Sequence, residues 1–261
     1  MRAGFVAFVT IVAALMGAAS ASAQLPAFPP PGGDPGSSVG PGPRADFDLE
    51  FTTRRTNASA GTRTRVFYRN PSDPNAKPPA VRSVVTTFPA GTRFDTSAAP
   101  VCNASDPQLV AEGAGACPAG SRIGSGLLEF LTGFGPPIDP LVFDVVIFNN
   151  AQGPILLATL RGGGLRVPAR FRLQGRTLRS EVPPLPGGPP DGQTALRRAE
   201  LNISARSRGG RNLVTTPRTC PRNRRLPFRT SFTYGDGLTQ LVRSSSPCAR
   251  AAQRRSPRFT G

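Results

Sequence analysis

The chain has 261 residues with 32 basic against 15 acidic side chains, a formal net charge of +17, and neither histidine nor tryptophan. Lys77 is its only lysine, so every other basic residue is arginine. Without histidine there is no Ser-His-Asp or Cys-His arrangement and no imidazole base. Lys77 sits in a proline-rich turn, a poor setting for a Ser-Lys pair, so nucleophilic hydrolysis is disfavoured.

Residues 1–23 read as an export leader. Arg2 precedes an apolar run from Gly4 to Gly17, too short to span a bilayer, and Ala21-Ser22-Ala23 supplies the small-residue cleavage pattern. Cleavage between Ala23 and Gln24 predicts a secreted or cell-envelope-associated chain with no later transmembrane segment. Removing Arg2 with the leader leaves 31 basic against 15 acidic residues, or +16. Such a field attracts polyanions: wall polymers, extracellular DNA and anionic surfaces all qualify. The arginine skew, with abundant Gly, Pro and Ala, is also what GC-rich bacterial coding produces.

Residues 24–44 form a Pro/Gly-rich linker, read either as a tether or as a disordered mature N-terminus. From Ala45 the pattern changes to period two. Phe47, Leu49 and Phe51 alternate with Asp46, Asp48 and Glu50, a half-buried strand with an acidic outer face. Further strands are predicted over 62–68, 81–88, 126–131, 141–148, 155–160, 169–173, 177–182 and 196–205. A helix over Thr194 to Leu201 competes with the last of these, but its alternation extends further.

The final unit is a hairpin, with Phe228, Thr230, Phe232 and Tyr234 on one face and a turn at Gly235-Asp236-Gly237. A two-residue turn sets Phe232 opposite Leu241; a three-residue loop sets Tyr234 opposite Leu238. These strands, with no long amphipathic helix, predict an all-β antiparallel sandwich or jelly roll over residues 45–248. Two smaller sandwiches divided near Pro183 are the alternative. Residues 249–261 form a basic disordered tail.

Four cysteines, all beyond the leader, fit an oxidising compartment and allow three pairings. Cys102–Cys117 with Cys220–Cys248 is favoured, because each pair brackets one loop or hairpin; the chain-entropy contributions are roughly 3 and 3.6 kcal/mol. The first pair would staple an excursion between the 81–88 and 126–131 strands, with one helical turn within DPQLVAEGAG. No Cys-x-x-Cys and no histidine argue against a metal, and no cofactor is implied.

FPAGTRFDTS, APVC and ACPAGSRIGSG, followed by TPRTCP, FTYGDG and SPC, resemble a family of secreted actinobacterial proteins of unknown function over most of residues 81–248. The resemblance implies an exported β-rich domain with these cysteines, and no activity. The chain departs from that pattern after Cys220, where PRNRRLPF stands in place of a tryptophan-bearing segment.

Two chemistries compete with a solvated surface. Arg206, Arg208, Arg211, Arg222, Arg224 and Arg225 are candidate phosphate or carboxylate ligands. No aromatic residue interrupts them before Phe228, so base stacking and specific nucleic-acid recognition are unsupported. Glu129, Asp144 and Glu181 are candidates for a paired-carboxylate glycan hydrolase. Asp144 stands out within an apolar run, although pairing with an arginine is the plainer role. The expectation is therefore a non-enzymatic envelope or extracellular protein that contacts anionic polymers through arginines; a glycan hydrolase and a purely structural envelope protein are the alternatives.

Overall fold

The computed structural model describes residues 43–189 and 191–249. The expected leader, nearly all of the linker and the tail from residue 250 lie outside them. Fifteen strands and one α-helix follow in chain order: β1 (Ala45–Phe51), β2 (Thr62–Tyr68), β3 (Val81–Thr87), β4 (Arg93–Phe94), α1 (Asp106–Glu112), β5 (Arg122–Leu131), β6 (Leu141–Phe148), β7 (Ile155–Leu160), β8 (Arg166–Gln174), β9 (Thr177–Glu181), β10 (Ala195–Ile203), β11 (Ser207–Arg208), β12 (Arg211–Asn212), β13 (Val214–Thr215), β14 (Arg225–Tyr234) and β15 (Thr239–Pro247). The fold is all-β and antiparallel.

Eleven strands hydrogen-bond in the order β1-β2-β10-β5-β6-β7-β8-β9-β3-β14-β15. They make two facing layers. β8 turns the corner between them, pairing with β7 through Arg166–Arg170 and with β9 through Phe171–Gln174. A strand that changes sheets in this way closes one edge of a sandwich.

The opposite edge is closed by β1 lying beside β15. Each antiparallel step reverses direction, so an odd number of strands brings the first and last together pointing the same way. Side chains do much of the joining there. Gln240 Oε1 accepts from the Arg44 and Ala45 N–H groups at 2.9 and 3.1 Å. Ser246 Oγ accepts from Phe51 N–H at 3.1 Å. A parallel bridge between Arg55 and Ala249 follows.

Alternation decides the inside. Leu49, Phe51, Val66, Tyr68, Phe143, Val145 and Ile147 are buried, with charged residues such as Arg63, Arg65 and Asp144 facing out between them. Aromatic pairs link the layers near the closed seam: Phe47 and Tyr68 both meet Phe232, at 5.6 and 5.5 Å between ring centroids. The β14–β15 register is the one with a three-residue loop, since Tyr234 N–H donates to the Leu238 carbonyl at 2.9 Å.

Both cysteine pairings are as expected, with Cα–Cα separations of 5.0 Å for Cys102–Cys117 and 5.8 Å for Cys220–Cys248. The helical turn in the first loop is α1. Ser105 and Gln108 cap it reciprocally, and Leu109 buries completely against the cystine, Phe148, Ile155 and Leu157. The excursion therefore covers the outer face of β6 and β7. It does not join β3 to β5, which are not neighbours: β3 pairs with β9 and β14, β5 with β10 and β6.

β5 starts four residues before the expected strand. Gly124 makes residues 122–125 look like a loop, yet a Cβ there would lie 2.2 Å from the Asn202 carbonyl oxygen of β10, and one on Gly126 2.1 Å from that of Glu200. Glycine is there because the two backbones approach closely.

Candidate functional site

The arginine candidates gather at the end of the layers where β1, β10 and β15 finish and β2, β5 and β14 begin. The β1–β2 connection and the segment from Ser204 to Arg225 are laced together there. Asn57 N–H donates to the Pro217 carbonyl at 2.9 Å, Ala60 N–H to Val214 at 3.0 Å, and Thr216 N–H to Ala58 at 3.0 Å. Thr216 is fully buried and its hydroxyl donates to the Arg55 carbonyl. The Cys220–Cys248 bond and the Cys248 N–H to Arg224 carbonyl bond fix the rest.

These stretches carry Arg54, Arg55, Arg206, Arg208, Arg211, Arg218, Arg222, Arg224 and Arg225, and no Asp or Glu. All nine are exposed, and none forms an ion pair among the described residues. Arg208-Gly209-Gly210-Arg211 is the tip of the β11–β12 hairpin, where both glycines take positive φ. Arg211 donates to Ser97 Oγ at 2.9 Å and helps hold the Asp95 carboxyl below its ordinary value, after the stronger bonds that Asp95 accepts from Ser97. The ten described ion pairs lie elsewhere, as in Arg63–Glu50 on the outer wall and Arg44–Asp236 at the opposite end.

The carboxylate candidates are not assembled into a catalytic pair. Glu181 is on β9, ion-paired with Arg179 at 2.8 Å. Glu129 and Asp144 occupy diagonal positions on the outer face of β5 and β6, but each has its own guanidinium. Arg197 lies 3.4 Å from Glu129, and Arg161 grips both oxygens of Asp144 at 2.7–3.0 Å. Arg161 holds the Asp144 carboxyl below the usual range, the wrong direction for a general acid.

Between the layers is a cavity of about 200 Å³. Phenylalanines and aliphatic side chains from both layers line it, with hydroxyls from Thr62, Thr64, Thr86, Ser180 and Tyr68 as the polar groups. Among the described residues, no charged side chain lines it. Strand alternation puts Phe47 and Leu49 of this lining on one face, but nothing in the sequence marks the space they border.

A second feature missed from sequence is Lys77. Its side chain is 4% exposed. Its ammonium donates to the carbonyls of Gly188 at 2.9 Å and Gln193 at 2.5 Å, and to Asp191 at 2.7 Å. A lone lysine among arginines was the available signal. Nearby, Asp139 accepts from the Thr132 N–H and hydroxyl and from the Gly133 and Gly135 N–H groups. Both groups hold loops at the end opposite the arginines and are structural.

No protein-family model and no curated protein matches this chain. Among solved structures it is similar to AvmM, described as catalysing macrocyclization in alchivemycin A biosynthesis, at 10% identity and a TM-score of 0.30 over 82% of this chain and 93% of that one. A likeness at that level carries no inference about activity.

Proposed function

We propose that the protein is exported, that its leader is removed between Ala23 and Gln24, and that it works by surface contact with an anionic extracellular polymer, without catalysis. The observation carrying this reading is the arginine-bearing end: nine exposed guanidiniums with no ion-pair partner among the described residues, on segments without a single carboxylate. Guanidiniums in ion pairs are already neutralised, whereas these, apart from Arg211 with Asp95 nearby, present a field that no carboxylate on their own segments offsets, and bidentate donors for phosphate or carboxylate. Two disulfides agree with an oxidising compartment.

The test is retention on immobilised anionic wall polymer over a salt gradient. Retention falls steeply as the Debye length contracts from about 10 Å at 0.1 M to about 3 Å at 1 M. Replacing Arg206, Arg208, Arg211, Arg222, Arg224 and Arg225 by serine abolishes it, whereas replacing the wall residues Arg63 and Arg179 leaves it nearly intact. Equal loss from both sets would leave only diffuse charge, and no salt dependence would sink the reading. The mass of the secreted chain checks the cleavage point.

A further inference from the structure

The space between the layers is a second and independent feature. Protein interiors pack at crystal density with few voids larger than a water molecule. An apolar space of about 200 Å³ between the layers, open to the outside along part of its boundary, is therefore more than a packing defect. Its wall atoms lack partners on one side, and water gains little there because few polar groups can hold it. Several inward-pointing side chains, among them Phe171, Leu178 and Leu201, are only partly buried, because they border this space.

The lining also selects. Charged ligands are excluded, since nothing present would compensate their desolvation. Flat rings and branched hydrocarbon are accommodated by Phe130, Phe143 and Phe171. One polar group stands apart. Tyr68 lines the cavity and is 2% exposed, yet its hydroxyl makes no hydrogen bond to any described residue. Its neighbour Tyr234 is different, donating to Gln240 Oε1 at 3.0 Å. A buried tyrosine hydroxyl ordinarily has a partner. Burial, and then the nearby Tyr234, push the Tyr68 hydroxyl well above its ordinary pKa, so it stays neutral, able to donate and accept.

We infer that this cavity is a binding site for a small, neutral, mostly hydrocarbon molecule carrying one hydroxyl or carbonyl group, which Tyr68 meets. An apolar cavity of about 150 Å³ takes benzene, so this one suits a ligand on the order of ten heavy atoms. The site does not depend on the arginine end, and either can fail alone.

The test uses the secreted full-length protein and three probes of one shape: 2-naphthol, naphthalene and 2-naphthoate, titrated at pH 7 by calorimetry. Saturable 1:1 binding of 2-naphthol is expected, with naphthalene about tenfold weaker and 2-naphthoate not binding. Tyr68→Phe keeps the packing and brings 2-naphthol down to the level of naphthalene. Ala169→Phe, which projects a ring into the space, removes binding of both without lowering the melting temperature. If Ala169→Phe fails to fold, Tyr68→Phe alone still decides the polar contact. Binding of none of the probes to the unmodified protein overturns the site, as does undiminished binding to folded Ala169→Phe. Equal affinity for 2-naphthol before and after Tyr68→Phe overturns the role of Tyr68.

Discussion

Lys77 places its ammonium 2.7 Å from the carboxylate of Asp191 while its stem is buried and its other protons go to main-chain carbonyls. A compact ammonium with three donors suits convergent carbonyls; a planar guanidinium does not. This explains why one lysine persists in a chain that otherwise uses arginine. Lys77→Met should cost about 2–3 kcal/mol, because it leaves several acceptors without a donor. Lys77→Arg should also destabilise, by about half as much. Urea unfolding of both variants measures this; a neutral Lys77→Arg would show that charge alone is needed.

Acid sensitivity follows from the carboxylates at the same end. For Asp191 burial works to raise the pKa, but the Lys77 ammonium and the Gln193 N–H outweigh it and hold it down. For Asp139 burial is again outweighed, here by the Thr132 hydroxyl and N–H and the Gly133 and Gly135 N–H groups. A depressed folded pKa stabilises above the unfolded value of about 3.9 and loses that contribution as pH falls through the folded value. Stability should therefore be level from about pH 5 to 8, where the chain has no histidine to titrate, and drop below about pH 4. Asp139→Asn should remove about 1 kcal/mol at neutral pH and flatten the acid limb. Thermal melts across pH 2–8 decide it.

Much of this architecture was legible. β1, β2, β6 and β7 are recognisable because strict alternation or a continuous apolar run marks a strand wherever one face is buried, and the cysteine pairs follow from which loops they bracket. The rest was hidden for physical reasons. β4 and β13 are two-residue pairings with no period to detect. Gly124 mimics a loop, because close backbone approach leaves the same mark as a turn. Alternation marks Phe47, Leu49 and Phe51 as one face of a half-buried strand. Whether opposing inner faces touch or leave a space depends on sheet curvature, which no single strand encodes. The arginine end likewise arises from folding: Arg54 and Arg55 lie about 150 residues from Arg206 in the chain and meet its segment through Thr216.

The β5–β10 contact gives a sharp prediction. A Cβ on Gly126 would sit 2.1 Å from the Glu200 carbonyl oxygen, a main-chain atom that cannot rotate away. Gly126→Ala should cost about 2–3 kcal/mol through displacement of β10. Gly115→Ala is the control, since nothing lies within 4 Å of its Cβ. It should change stability by less than about 0.5 kcal/mol. Paired denaturation curves compare the two.

The two disulfides should differ in what they protect. Cys102 and Cys117 belong to the small cluster around Leu109, so Cys102→Ser with Cys117→Ser should loosen α1 and the outer face of β6–β7 first. Cys220–Cys248 ties the arginine-bearing segment to the end of β15, so its removal should free that segment. Each double variant should lose about 3 kcal/mol, and hydrogen exchange should localise the loss to the region named. Peptide mapping under non-reducing conditions must recover both linkages; free thiols at Cys102 and Cys117 would refute the first.

The β1–β15 seam depends on side chains where a sheet would ordinarily use main-chain bonds. Ser246 is fully buried, and its hydroxyl is the acceptor for Phe51 N–H. Gln240 accepts from two N–H groups and the Tyr234 hydroxyl and returns a bond from Nε2 to the Ala45 carbonyl at 3.1 Å. Ser246→Ala removes one acceptor and should cost about 1–2 kcal/mol. Gln240→Leu leaves two main-chain N–H groups, one carbonyl and a tyrosine hydroxyl unpaired, and should cost about 3 kcal/mol. Because only this edge depends on them, the Ala45 and Phe51 amides should exchange faster in both variants while β6 and β7 stay protected. Uniformly accelerated exchange would instead mean that the closed edge supports the whole sandwich.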